Sequence, residues 1–231
     1  MVQLYNPDYN NGQGMRIHIR TKQIRWWSYV AAAVVQIGDD TLEVKSGAQK
    51  DSKYWVNGKQ GPWLEVGGMQ PFTIGGHKVR FRVLDIDKVQ YKIFLEDGQT
   101  IILKSVKDWL RVEIENHNKE TFGSSRGLLG TYGDGLMMAR NGTTVIEDPI
   151  EFGNEWQVLS DEPMLFHNVD GPQHPESCEM PSSTSTQRRL GEHVISREQA
   201  KAACSQASAS DFNDCMFDVI ATGDVAMADS Y

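Results

Sequence analysis

Apolar and polar residues alternate along most of the chain between residues 15 and 115. Met15, Ile17 and Ile19 share one side of the first alternating run. The same period of two returns in three later runs: residues 78–83, 89–95 and 110–115. Successive side chains of a β-strand point to opposite faces, so this pattern places one face in a core and the other in water. It predicts a series of antiparallel strands.

Short turn sequences separate these runs. Asn57-Gly58 and Asp97-Gly98 supply the positive φ angles that tight hairpins require. Glycine-containing turns are also predicted at residues 38–40, 67–68 and 75–76. Strands that recur about every ten residues are typical of a β-sandwich or barrel. Residues 152–158 are predicted to form the last strand of the sandwich.

The last quarter of the chain has a different pattern. Residues 163–191 are rich in Pro, Ser, Thr and Gln, which predicts a linker. Ser196 and Gln199 form a capping box that opens one helix. A second helix is predicted from Ser210 or Asp211 to Gly223, with one apolar stripe: Phe212, Cys215, Met216, Val219 and Ile220. The predicted organisation is a mostly β, antiparallel sandwich over residues 1–160, a linker over 161–192 and a helical, cysteine-containing segment over 193–231.

Charge and hydropathy exclude some classes of protein. The formal net charge of -8 and the sequence pI near 5.2 argue against a nucleic-acid partner, because phosphates require a basic surface. No run approaches the roughly 18 apolar residues of a membrane span. The first residues lack the basic and apolar regions of a signal peptide.

Three cysteines, Cys178, Cys204 and Cys215, lie in the last quarter. If the two predicted helices pack antiparallel, Cys204 can face Cys215, and a disulfide is then reasonable provided the Cα atoms come within about 7 Å. Two buried thiols are the alternative. The histidines are scattered and no CxxC pair is present, so a zinc site is not expected.

Ser125 occupies the nucleophile position of a G-x-S-x-G sequence at residues 123–127. In hydrolases this motif forms a turn between a strand and a helix that exposes the serine. Here a glycine-interrupted run follows, which does not favour a helix. A serine hydrolase is therefore only a remote hypothesis.

Acidic and amide side chains cluster between residues 134 and 151. Asp134, Asn141 and Asp148 form a weak candidate calcium site, with Glu147 and Glu151 nearby. The spacing matches no EF-hand, and solvated loop acids are the simpler interpretation. No cofactor other than calcium is indicated.

Two further features concern carbohydrate. Asn141-Gly142-Thr143 is a glycosylation sequon if the chain is secreted. Four tryptophans raise the alternative of a sugar-stacking platform: Trp26, Trp27, Trp55 and Trp63. Tryptophan in a sandwich more often belongs to the core.

Two segments carry a family resemblance. Residues 125–135 (SRGLLGTYGDG) and residues 148–158 (DPIEFGNEWQV) resemble the end of a von Willebrand factor type D domain, whose usual motifs are GLCGNYNGD and DPxxFGNSWKV. The resemblance covers roughly residues 1–160. Cys204 and residues 211–219 resemble the helical cysteine segment that follows many such domains, which together suggests a cysteine-poor branch of the family.

The chain departs from the family pattern in several places. Leu129 replaces the cysteine of the loop, while Thr131 and Gly133 replace asparagines that supply calcium oxygens in the family. Only Asp134 keeps an acidic oxygen there. The family's opening strands are missing, so we expect an N-terminally truncated domain. That truncation predicts an upstream partner for Cys178 and an exposed sheet edge.

The resemblance implies a non-enzymatic structural or interaction module, located outside the cell or at its surface. Its expected partners are other extracellular proteins or matrix. A carbohydrate- or matrix-binding module that uses the tryptophans is the alternative.

Overall fold

The computed structural model describes residues 1–24, 27–47, 52–167 and 195–231, with the side chains of residues 23–27 left aside. The chain divides into two compact units. The first contains residues 1–22 and 29–173, and the second contains residues 23–28 and 174–231.

Two antiparallel sheets are built from strands that follow one another in the chain. The six-stranded sheet has the order β1-β2-β3-β4-β5-β6, with these bounds: Val2–Asn6, Met15–Ile24, Trp27–Ile37, Asp40–Lys45, Lys53–Val56 and Lys59–Gln60. The five-stranded sheet has the order β11-β10-β9-β8-β7, with β7 to β11 at Met69–Ile74, His77–Asp85, Lys88–Phe94, Thr100–Val106 and Trp109–Glu115. The mostly β, antiparallel architecture predicted from the alternation is confirmed.

The core lies between the inner faces of the two sheets. Met15, Ile17 and Ile19 of the first alternating run are buried, as predicted. An aromatic cluster joins the two sheets: the ring of Phe81 stacks on Tyr91 at 4.8 Å, and Tyr54 lies 4.9 Å from Phe81. Strand β8 alternates between buried and exposed residues along most of its length. Burial of large aromatic and aliphatic side chains is the main stabilising contribution in such a core.

The predicted hairpin turns are present. Asn57 and Gly58 have φ angles of 50° and 73°, and they join β5 to β6. Asp97 and Gly98 have φ angles of 57° and 76°, and they lie in a 3₁₀ turn between β9 and β10. Positive φ at both positions gives the backbone twist that matches paired strands.

The closing strand predicted at residues 152–158 is wrong. Helix α3 (Pro149–Glu155) occupies most of this segment. The Asp148 carboxylate accepts hydrogen bonds from the backbone N–H groups of Ile150 and Glu151, at 2.7 and 2.9 Å, and Pro149 is in the first turn. An aspartate cap followed by proline initiates a helix, so this segment is helical rather than extended. Two four-residue turns, α1 (Tyr9–Gly12) and α2 (Lys119–Phe122), complete the sandwich.

The C-terminal segment is helical, as predicted. It contains α4 (Arg197–Ala203), α5 (Phe212–Thr222) and two 3₁₀ turns at Cys204–Gln206 and Val225–Ser230. Ser196 and Gln199 form the capping box, and Gly223 ends α5 with a φ of 69°. Within the predicted stripe, Cys215, Met216 and Val219 are buried, whereas Ile220 is exposed and does not belong to it.

The start of the predicted linker is packed. Leu165 and Phe166 are buried against Ala32 and Val34 of β3, and the backbone N–H of His167 donates to Glu43 at 2.8 Å. The rest of that linker, including Cys178, lies outside the described residues. In the described part of the chain, no helix has the length and apolar character needed to span a bilayer.

Candidate functional site

The glycine-rich loop of residues 123–135 runs beside strand β1. Tyr5 and Arg126 exchange backbone hydrogen bonds at 2.6 and 2.9 Å, and the N–H of Leu128 donates to the Val2 carbonyl at 3.2 Å. The Val2 N–H donates to the Trp156 carbonyl at 2.8 Å. The exposed sheet edge predicted at the N-terminal side is therefore wrong for β1, because this loop and Trp156 satisfy its outer backbone groups.

Gly127 allows the loop to approach β1 this closely. Its φ is +140°, and a Cβ at this position would lie 2.3 Å from the Gln3 carbonyl oxygen. No side chain fits at such a distance, so the position requires glycine. Gly127, in the segment of residues 125–135 that resembles the family motif, is thus required for the contact between the loop and β1.

Ser125 lies under this loop beside a cavity of about 440 Å³. The cavity is lined mainly by apolar residues, including Leu4, Phe122 and Tyr132. Ser125 is buried, and its hydroxyl makes no hydrogen bond. Among the described residues no general base is hydrogen-bonded to it, and a turn rather than a helix follows. The geometry gives no support to a hydrolase.

The three residues of the candidate calcium site each have a local structural role. Asp134 accepts hydrogen bonds from the Thr131 hydroxyl and from the backbone N–H of Leu136, and these contacts lower its pKa. Asn141 accepts from the N–H groups of residues 143 and 144, while Asp148 caps α3. The described residues contain no group of three or more His, Cys, Asp or Glu arranged to hold a metal. Calcium binding stays a prediction.

The sequon is accessible. Asn141 and Thr143 are both exposed, and they lie in a turn where the Thr143 hydroxyl is 3.2 Å from the Asn141 side-chain oxygen. Glycosylation needs an exposed asparagine in a surface loop of a secreted protein, and the first part of that requirement is met.

The tryptophan platform does not form from the residues that the structure describes. Trp55 is buried, and Trp63 packs in part against the core. The core interpretation is therefore confirmed for Trp55, which cannot stack on a sugar. Trp26 and the side chain of Trp27 lie outside what the structure describes.

Cys204 and Cys215 form a disulfide with a Cα–Cα distance of 5.9 Å. Both residues are buried, between the end of α4 and the second turn of α5. The disulfide is the one that antiparallel packing of the helices allowed. It closes a short loop and contributes about 3 kcal/mol in the chain-entropy model.

Arg140 was not singled out from the sequence, yet it joins three segments. Its guanidinium donates to the backbone carbonyls of Glu155 and Gln157, at 2.6 and 2.5 Å, and pairs with the Glu162 carboxylate. It also lies 5.1 Å from the ring centroid of Trp156. These contacts hold the hairpin at residues 137–146 against the end of α3. No local sequence pattern predicts these contacts, since the partners of Arg140 are 15 to 22 residues away in the chain.

His18 lies beside Arg140 in a small, partly polar cavity. Burial is the main cause that lowers its pKa to about 4. Its Nδ1 atom has no hydrogen-bond partner. His18 is therefore neutral at pH 7, and its protonation opposes folding.

The outer face of the five-stranded sheet is strongly basic. We use the term basic face for seven cations on the outer side of β8 to β11: Lys78, Arg80, Arg82, Lys88, Lys92, Lys104 and Arg111. They alternate with buried residues on β8 and β9, whereas on β10 the neighbours of Lys104 on the same side, Ile102 and Val106, are themselves buried. The three on β8 are exposed and the other four are half-buried. The alternation at residues 78–83 and 110–115 already places Lys78, Arg80, Arg82 and Arg111 on the solvent side, but only the register of β8 to β11 brings the seven cations together.

Comparison with known proteins adds no relative. No protein-family model matches the chain, and no match is found among curated proteins.

Proposed function

We propose that this chain is a non-enzymatic interaction module of the von Willebrand factor type D kind, which works outside the cell through contacts with other proteins or matrix. The disulfide between Cys204 and Cys215 is the observation that carries the proposal. Disulfides persist in oxidising compartments and are rare in the cytosol. A secreted or cell-surface location accounts for it directly.

Two further features support the same proposal. The sequon at Asn141 is exposed, so a glycan can be attached without disturbing the core. The two-sheet architecture and the helical cysteine segment are the arrangement that the resemblance implies. The interaction role follows from the resemblance at residues 125–135 and 148–158.

Intact-mass spectrometry of the protein from its native source tests the proposal. Reduction of the Cys204–Cys215 disulfide should increase the mass by about 2 Da. An alkylating agent should modify these two cysteines only after reduction. Treatment with a glycosidase should remove a glycan from Asn141, and an Asn141→Gln variant is the matched control. Free thiols at both cysteines, together with an unmodified Asn141, would overturn the proposed location.

A further inference from the structure

The cations of the basic face lie directly opposite one another. Arg80 pairs with Lys92 across β8 and β9, and Lys104 pairs with Arg111 across β10 and β11. Side chains in such positions have Cβ atoms about 4.5–5.5 Å apart, and like charges there destabilise a sheet. Glu115 and Glu113 already pair with Lys92 and Arg111, so the repulsion that an anionic partner would offset is greatest along β8.

The charge of the face is opposite to that of the whole chain. Seven of the 23 lysines and arginines lie on this one face, although the chain has a formal net charge of -8. Local fields of this kind attract oppositely charged partners and raise their association rates. The partner that fits is a polyanion.

Two carboxylates restrict where a polyanion can lie. Glu113 and Glu115, on the outer side of β11, pair with Arg111 and Lys92. They partly neutralise the β11 side of the face. The β8 side keeps Lys78, Arg80 and Arg82, which are exposed and about 7 Å apart along the strand. An elongated anion is therefore best accommodated along β8.

The side chains on β8 favour sulfate or phosphate groups. Two of the three are arginines, whose planar guanidinium groups bind such oxyanions through paired hydrogen bonds. The guanidinium of Arg80 lies 4.9 Å from the ring centroid of Phe94, which holds it in position on the face. The three cations follow a strand rather than surround a cavity, so the geometry suits a linear polymer.

We propose that the basic face binds a sulfated polysaccharide chain along β8, with Lys78, Arg80 and Arg82 as its main contacts. This inference rests on the proposed extracellular function, since sulfated glycans rather than nucleic acids surround proteins there. It assigns the matrix contact to charged residues of the sheet and not to the tryptophans.

Binding of the full chain to heparin, a sulfated polysaccharide used as the probe, tests the inference. A triple variant, Lys78→Gln with Arg80→Gln and Arg82→Gln, should weaken binding at least tenfold. It should also reduce the slope of log Kd against log salt by about two to three, since fewer counterions are released. Its matched control removes three exposed cations elsewhere, Lys59→Gln with Lys119→Gln and Lys201→Gln, and should change Kd less than twofold.

Several outcomes would overturn the inference. The first is an equal loss of heparin affinity in the two triple variants. The others are no binding of heparin to the full chain, and equal affinity of the chain for heparin and for unsulfated hyaluronan. Tighter binding to duplex DNA or to polyglutamate would assign the face to another class of polymer. Circular dichroism of each variant checks that it is folded.

If the native protein has the disulfide and glycan but the β8 variant still binds heparin normally, only this inference fails. If the native protein lacks both, the proposed function fails whatever heparin does.

Discussion

The sandwich and the helical segment of residues 195–231 differ in how much apolar surface each one buries. The main sandwich cluster has 23 buried apolar residues, whereas the described helical segment has six, and two of these are the disulfide cysteines. Residues 1–173 contain no cysteine at all. Helices of 7 and 11 residues are marginal by themselves in water. Among the described residues, the covalent link therefore lies where the buried apolar core is smaller.

The largest effect should come from opening a cavity in the sandwich core. Phe81→Ala removes a ring that is stacked on Tyr91, and we expect a loss of about 3–5 kcal/mol in the free energy of unfolding. Urea denaturation followed by tryptophan fluorescence measures it, because four of the six tryptophans lie in the first unit and none lies in residues 195–231. Met69→Ala, at a residue that is 60% exposed on β7 of the same unit, is the control and should cost less than about 0.5 kcal/mol. Similar losses in both variants would contradict the comparison.

Removing the disulfide should affect the other region. Cys204→Ala combined with Cys215→Ala should destabilise the helical segment by about 3 kcal/mol, which corresponds to roughly 100-fold faster amide exchange in α5. Hydrogen exchange read by mass spectrometry measures this, and the fluorescence midpoint of the sandwich should stay unchanged. Ile220→Ala, at an exposed position of the same helix, is the control. Unchanged exchange in α5 would show that the segment does not depend on its disulfide.

The contact that covers β1 can be tested with two glycines of one loop. Gly127→Ala places a Cβ against the Gln3 carbonyl and should cost about 3 kcal/mol. Gly133→Ala also has a positive φ, of +93°, but no atom lies within 4 Å, so only about 1–2 kcal/mol is expected. Urea denaturation compares the two variants. Equal costs would mean that the close approach to β1 contributes nothing beyond backbone strain.

Local patterns in the sequence predicted most of the fold. Alternation gave the strands, Asn57-Gly58 and Asp97-Gly98 gave two turns, and the Ser196 capping box gave the start of α4. Each of these signals lies within a few residues. The sequence contains the signal for helix α3, an aspartate cap at Asp148 followed by Pro149, but residues 152–158 were predicted as a strand.

The features that depend on distant partners could not be predicted in this way. Arg140 makes its contacts through three segments that only the fold brings together. The basic face needs the register of β8 to β11, because that register sets Arg80 beside Lys92 and Lys104 beside Arg111. Alternation fixes the face that each side chain takes, but a slip of two residues keeps the same faces, so alternation alone does not say which cations lie opposite one another. The covered edge of β1 was missed because the loop that pairs with it lies more than 100 residues away in the sequence.

Acid should distinguish the two regions, since no histidine lies in residues 195–231. His18 has a folded pKa of about 4, below its usual 6.5, so its protonation favours the unfolded chain. The folding free energy that depends on neutral His18 is fully present above pH 6.5, and it is lost as the pH falls toward 4. At pH 5 the loss should be about 2 kcal/mol.

Carboxylates also titrate in this range, so a variant is needed to isolate the histidine. His18→Gln cannot be protonated, and its sandwich should therefore lose about 2 kcal/mol less than the wild type between pH 7 and pH 5. Urea denaturation by tryptophan fluorescence at the two pH values measures this difference. Amide exchange in α5 should respond to the same change of pH equally in both proteins, after correction for the intrinsic rate. Identical pH dependence of the two sandwiches would mean that His18 can be protonated in the folded state, for example because water reaches the cavity that it shares with Arg140.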